Sequence, residues 1–449
     1  MTIDERLSRV PTFSQFYGTD ELYDHAKRVA EANPDICSLT YVGQSKNGEK
    51  IPMVRVGNGP TSILLFASPH PNEPIGAMMA YFLLDELVAC PEMRGRRTWN
   101  IIPCVDPDGT RRNEGWFKGP YTLKNYARHF YRPKGDDQVE WTFPVEYKTF
   151  KFDKPIPETK ALMKAIDMTR PAVMYSLHNS GFGGAYYYIS RPLEAAYPDF
   201  HRLPTERGLS LSLGEPESPY CKELYPAVYA TNFASDAYDY FEKFGTGDPA
   251  SYMFGGGSSR DYAETVSKPF TLIAEVPYFK TARIADTSLV GKKRGTVVLD
   301  GLERSRTLLS FAKKIVDDTL ALLTEEPVLR DASASFIGQM LNRMEGEKAW
   351  AMSKEIMEQE ATVAQEAHAL YITPFYQGII ISMYRRALKA QLAKEYNPVI
   401  EEAYKTLDSK IDAMMDDIGK ALDYGTVAIR DLVQIQYGAL LAVLNGLGL

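Results

Sequence analysis

The sequence predicts an α/β fold: a mixed, largely parallel central sheet with helices on both faces, followed by an all-α C-terminal region. Three observations carry this. Up to about residue 325, five short β-like runs stand out, most of them apolar throughout instead of alternating, as strands covered on both faces are. Helical stretches separate them, and that alternation builds α/β domains. Past Pro327 strand signals vanish and helical spacing dominates through to Leu449.

Taken in order, a helix over Asp20–Ala32 follows Thr19, a capping residue, and stops before Asn33-Pro34. Asn47-Gly48 lies between two extended runs and predicts a hairpin turn, because this pair tolerates positive φ. The strands are Thr61–Ser68 (TSILLFAS), Thr98–Val105 (TWNIIPCV), Ala172–Leu177 (AVMYSL), Ala185–Ser190 (AYYYIS) and Phe270–Val276 (FTLIAEV). A helix over Ile75–Ala89 follows the first of them. Leu302, Leu309, Val316 and Leu323 recur every seven residues and predict a last α/β helix over 301–324. Helices over 332–370, 375–396 and 399–444 then follow, broken at Pro374 and Asn397-Pro398. The expected division is a catalytic domain over 1–325 and a helical domain over 326–449. The helical part reads as an antiparallel bundle packing on itself or on a second copy, a route to a homo-oligomer.

Composition excludes several classes. With 51 Lys plus Arg against 58 Asp plus Glu, the net charge is −7, and no clustered basic face offers itself to nucleic acid. No apolar run approaches the ~20 residues of a membrane helix. The opening MTIDERLSRVPTF mixes acids and bases and does not read as a secretory signal. Cys37, Cys90, Cys104 and Cys221 are scattered, the pattern of reduced thiols rather than a disulfide framework. A cytoplasmic location is expected.

The six histidines narrow the chemistry. His70 opens His-Pro-Asn-Glu, with Glu73 three positions on. Because acids fill 58 of 449 positions, about one such pair is expected by chance, so the motif alone says little. Its place says more, just past one buried strand and just before a helix, where open α/β sheets collect their sites. A histidine and a glutamate so spaced can face one cation. A hydrolytic zinc site needs a third protein ligand, and His178 ends the run AVMYSL at another strand's carboxyl end. Taken alone, His178 reads equally well as a satisfied interior histidine. Glu275, inside FTLIAEVPY, is an ionisable group in a buried strand, costly unless it is paired or functional. It could take a proton from water and return it to a leaving amine.

With these residues in order, the chain resembles the M14 zinc carboxypeptidases over approximately residues 12–325. YGTDELYDHAKRVAEANPDICSLTYVGQSKNGEKIPMVRV resembles the family's opening helix and G-x-S-x-x-G hairpin. ASPHPNEPIG resembles its H-x-x-E metal motif, and VDPDGTRRN its N-P-D-G segment with the following R-x-N. SLHNS resembles its third-ligand strand and FTLIAEVP the strand bearing its catalytic glutamate. The resemblance implies one Zn2+ held by His70, Glu73 and His178, with Glu275 as general base and then general acid. It implies Arg111 as the arginine that polarises the scissile carbonyl, with Arg112 a rival for that place. It further implies Arg128 as the clamp on a substrate's terminal carboxylate and Tyr252 as the mobile tyrosine that closes over substrate. Arg260 falls in the loop that lines the pocket for the released residue. Turned inward it would favour an acidic side chain; turned outward it would pair with Asp261 or Glu264.

The chain also departs from the family. Ala127 stands where Asn usually flanks the clamping arginine, and Asn125 where Asp usually supports the first metal histidine. Asp106 replaces the Asn of N-P-D-G. The expected activity is zinc-dependent hydrolysis of a C-terminal peptide or peptide-like amide bond. Two alternatives stand beside it. One is a small-molecule deacylase of the aspartoacylase and succinylglutamate desuccinylase kind, and the other a metallopeptidase-like scaffold that binds without catalysis. The helical region could shape the site's entrance, mediate dimerisation or hold a partner.

Overall fold

All five apolar runs enter one nine-stranded sheet. The computed structural model describes residues 1–449. Its main strands are β1 (Cys37–Gln44), β2 (Lys50–Val56), β3 (Thr61–Ala67), β4 (Arg97–Ile102), β5 (Val173–Leu177), β6 (Tyr186–Ile189), β7 (Glu223–Tyr225), β8 (Val228–Ala230) and β9 (Phe270–Glu275). Across the sheet they run β1-β2-β4-β3-β5-β9-β6-β8-β7. The middle four, β4, β3, β5 and β9, are mutually parallel. Antiparallel strands flank them, with β2 against β4 and β6 against β9. Gly48, at φ +86°, makes the turn between β1 and β2.

The apolar runs have no polar face because both faces are covered. In β3, Ile63 and Leu65 point into one core, while Leu64 and Phe66 point into another. The second core is closed by α5 (Pro157–Thr169) and α6 (Ser259–Val266), with Leu162, Ala165, Ile166 and Ala263 packed on the sheet. The first is closed by α2 (Ile75–Ala89), behind α1 (Thr19–Ala32), and by the chain's last helix. Between β4 and β5 lie α3 (Pro107–Phe117) and α4 (Leu123–His129).

After the sheet come α7 (Arg294–Thr319), α8 (Pro327–Ala351), α9 (Thr373–Lys394), α10 (Pro398–Leu422) and α11 (Ile429–Gly446). Two differences from expectation appear here. Strands do occur past Pro327: Glu360–Thr362 pairs with Leu289–Lys293, and Gly425–Thr426 with Phe279–Lys280. Pieces this short leave no periodic signal. The change of texture near residue 325 is also no boundary in packing. One hydrophobic core of 93 buried residues runs from Leu7 to Leu444. Helix α11 packs on α2 and β9 instead of on a separate bundle. It buries Leu432, Val433, Ile435, Leu440 and Val443, each contributing about 1.5–3 kcal/mol relative to exposure. No helix is long and apolar enough to cross a membrane.

Candidate active site

The site is built where neighbouring parallel strands end. Strand β3 stops at Ala67, and the buried Ser68 adopts φ +51°, a left-handed turn uncommon outside glycine that takes the chain off the sheet. His70 and Glu73 follow before α2 starts at Ile75. His178 comes directly after β5, which pairs with β3 on one side and β9 on the other. Glu275 is the last residue of β9. Helix α2 approaches β5 so closely at Gly76 that a β-carbon there would lie 2.4 Å from Leu177 Cβ.

Nδ1 of His70 lies 3.1 Å from Glu73 Oε1 and 3.1 Å from Nδ1 of His178. His178 Nδ1 is 2.9 Å from the other Glu73 oxygen, which also accepts the Asn179 backbone N–H at 3.3 Å. The three side chains are buried, and their donor atoms all fall within 4.8 Å of one another. Two imidazole nitrogens and a carboxylate converging so tightly form the donor set of a catalytic zinc site, which keeps a further position open. On the far side of the ring, His178 Nε2 faces Glu140 Oε1 at 3.5 Å. Glu140 is fixed in turn by Ser176 Oγ at 2.6 Å and the Ser259 backbone N–H at 2.7 Å. Such an outer carboxylate orients a ligating imidazole and raises its basicity.

The neighbouring charges act in opposite directions on the two histidines. Burial opposes an imidazolium at His178, yet Glu140 and Glu73 on either side outweigh it and push its pKa up to about 10. Burial also opposes ionisation of Glu73, but the two histidines hold it well below the usual carboxylate range. At His70, burial together with Arg132 and His178 lowers the value to about 4, leaving a neutral ring. Glu275 is raised well above an ordinary carboxyl, first by burial and then by the Glu217 and Glu73 charges. Desolvation and like charges nearby both disfavour the ionised carboxylate.

A cavity of about 260 Å³ joins these residues, walled by His70, Glu73, His178 and Glu275, with Arg132 and Arg260 as its cations. Arg260 is inward and only 8% exposed. Its Nε lies 3.3 Å from Thr231 Oγ1, its guanidinium sits over the Phe233 ring at 4.7 Å, and Nη1 pairs with Glu264.

The other arginines expected at the site lie elsewhere. Arg111 is on the outer face of α3, bound to Asp20 at 2.6 Å and Glu49 at 2.7 Å. The cause is helical phase: Asn113 turns into the core to bond Tyr131 at both backbone groups, which sends Arg111, two residues back, to the opposite side. Arg112 pairs with Glu326 and stacks over Tyr131. Arg128, in the last turn of α4, pairs with Asp412 of α10. Asn125 donates to the Pro120 carbonyl at 2.9 Å and does not touch His70. Tyr252 is buried, stacked on Phe241 and bonded to Thr246, outside the cavity.

Other residues, which sequence reasoning missed, lie against the cluster instead. Arg132 Nη2 is 2.8 Å from His70 Nδ1 and Nη1 is 3.5 Å from Glu73 Oε1, while Nε donates to Gln138 at 2.8 Å. Glu140 supplies the outer carboxylate. Tyr376, from α9, reaches the cavity wall, and its oxygen accepts the Gly181 N–H at 2.9 Å and the Phe182 N–H at 3.3 Å. Glu140 and Arg132 sit in irregular chain (YRPKGDDQVEW) without periodic context, and nothing in the α9 pattern separates Tyr376 from a core residue.

The zinc carboxypeptidase family model, Peptidase M14, matches residues 22–283, more than half of the chain. The protein belongs to the M14 zinc carboxypeptidase family. Among solved structures, carboxypeptidase A from Helicoverpa armigera is similar at 15% identity, covering 62% of this chain and 70% of its own, with a TM-score of 0.40. Bovine thrombin-activatable fibrinolysis inhibitor is similar at 11% identity over 58% of this chain and 86% of its own, TM-score 0.39. A metallo-carboxypeptidase from Burkholderia cenocepacia is 15% identical over 58% of this chain and 60% of its own, TM-score 0.35. No curated protein matches the sequence.

Proposed function

We propose that this protein is a zinc-dependent hydrolase of carboxypeptidase type, cleaving the amide bond that joins a terminal, carboxylate-bearing residue to an acyl group. The observation that carries the reading is the convergence of His70, Glu73 and His178 to within 4.8 Å beside the buried Glu275. Zinc held by those three side chains would supply Lewis acidity and a lowered pKa for water. Glu275 takes up the proton released on attack and returns it to the leaving nitrogen, so water adds across the C–N bond and the acid and amine separate. Arg132 presents a fixed, permanently charged donor to the developing oxyanion, the role that planar guanidinium geometry suits. Arg260 faces the departing residue's carboxylate from the polar end of the cavity, and Tyr376 offers its hydroxyl proton to the substrate.

The test has two readouts. Purified protein should bind one zinc per chain, and Glu275→Gln should retain that stoichiometry while turnover on C-terminal amide substrates drops at least about a thousandfold. Full activity in Glu275→Gln, or zinc near zero in protein refolded with the metal, rejects the reading.

A further inference from the structure

The cavity does not end at the metal-ligand cluster. It continues into a second chamber of about 420 Å³, and Phe130, Arg132, Trp141, Glu217, Tyr376 and Ile379 wall both. A volume of this order takes a small organic group. The two halves differ in chemistry. The first ends on Arg260, Thr231, Asn232 and Ser258. The second is closed by Phe254, Phe336, Met340, Ile372 and Ile380.

Four of these five closing side chains, all but Phe254, come from the chain past residue 325. Phe336 and Met340 are one turn apart on α8, and Tyr376, Ile379 and Ile380 share one stripe of α9. These positions lie beyond residue 283, where the family match stops. The chamber is therefore completed by residues outside the matched portion, which face Phe130, Trp141, Tyr186 and Phe254 from within it. Glu217 sits at the junction, accepting from Tyr186 and, at 3.2 Å, from Tyr188. A ligand with one anionic end and one apolar end has a single favourable orientation here. Its carboxylate lies in the polar half beside Arg260, which Glu264 holds from the other side, and its apolar end lies among the helices.

Resting on the hydrolase reading above, we propose that the chamber receives an apolar acyl group on the acyl side of the scissile bond. The substrates are N-acylated amino acids, or short peptides with an apolar N-terminal block, in preference to long polar chains. Hydrolysis breaks the acyl C–N bond, places the hydroxyl of water on the acyl carbon and its proton on the amine, and leaves the carboxylic acid in the chamber as the amino acid departs.

The experiment titrates N-acetyl-, N-hexanoyl- and N-octanoyl-glutamate into full-length Glu275→Gln protein by calorimetry, and follows hydrolysis of the same series by the unmodified enzyme. A fully buried methylene is worth about fourfold in affinity, so Kd should fall at least about tenfold from acetyl to octanoyl. Met340→Trp and Ile380→Phe, each checked for a cooperative melt, should shrink that ratio toward one by filling the chamber. A Kd constant within about twofold across the series, or a ratio unchanged in both filled variants, overturns the proposal. Its failure is distinguishable from failure of the hydrolase reading. Chain-length-dependent binding without turnover of any member rejects hydrolysis alone, and equal turnover with flat binding rejects the chamber alone.

Discussion

At the scale of single residues, the arginines separate what a motif specifies from what a fold delivers. Motif order pointed to Arg111, but helical phase turned it to solvent and left Arg132 against His70. Arg132→Met should lower kcat by about a hundredfold or more, as loss of an oxyanion donor does, whereas Arg111→Met should stay within a few-fold of the parent enzyme. Steady-state kinetics on one substrate checks both, and the reverse ranking would restore Arg111. Asp106, where the family usually has Asn, gives a stability prediction. Burial pushes its carboxyl up to about 7, against the hydrogen bond it accepts from Gly109 N–H at 2.8 Å. A carboxyl with a folded pKa above its unfolded value of about 3.9 binds its proton more tightly in the folded state. Its contribution is favourable below pH ~4 and is lost as the pH rises through 7. Asp106→Asn should therefore equal the parent at pH 4 and exceed it by about 1–2 kcal/mol at pH 8 in denaturant melts. A pH-independent difference would show that the carboxyl is not the cause.

At the scale of elements, the strands were the most legible part. Runs apolar on both faces exist because α2 and α5 cover both faces, so TSILLFAS, AVMYSL and FTLIAEV could be located almost to the residue, and with them His70, His178 and Glu275. What the sequence left hidden was local geometry between elements. The phase of α3, the irregular chain carrying Arg132 and Glu140, and three-residue strands such as Glu360–Thr362 have no periodicity to read. Gly76 shows how close the elements come. Gly76→Ala gains about 0.5–1 kcal/mol of helix propensity, yet its β-carbon would stand 2.4 Å from Leu177 Cβ. Overpacking of that kind costs about 1–3 kcal/mol. Thermal melts should show net destabilisation, together with weaker zinc retention because Leu177 adjoins His178; a raised Tm would contradict this packing account.

At the scale of the whole molecule, the helices past residue 325 are continuous with the fold instead of decorating it. They share its core, close one end of its cavity and supply Tyr376. Arg128, expected at the substrate, joins Arg385 in binding Asp412 and ties α4 to α9 and α10. A chain truncated after residue 325 should lack a cooperative unfolding transition, since it would expose the surface that α9 and α11 bury. Circular dichroism and proteolysis of the truncated chain check this, and a stable, metal-binding 1–325 fragment would restore the two-domain division.

Helix α11 also carries Gln436, fully buried, whose amide donates to the His178 carbonyl at 2.6 Å and the Ala274 carbonyl at 3.2 Å. One side chain thus staples the strand end that leads to His178 to the strand end that carries Glu275. Because translation makes that staple after every part it fastens, a nascent polypeptide reaches Ala274 long before the two strand edges are pinned together. The relative placement of His178 and Glu275 is thus secured only by a residue made 162 positions after Ala274.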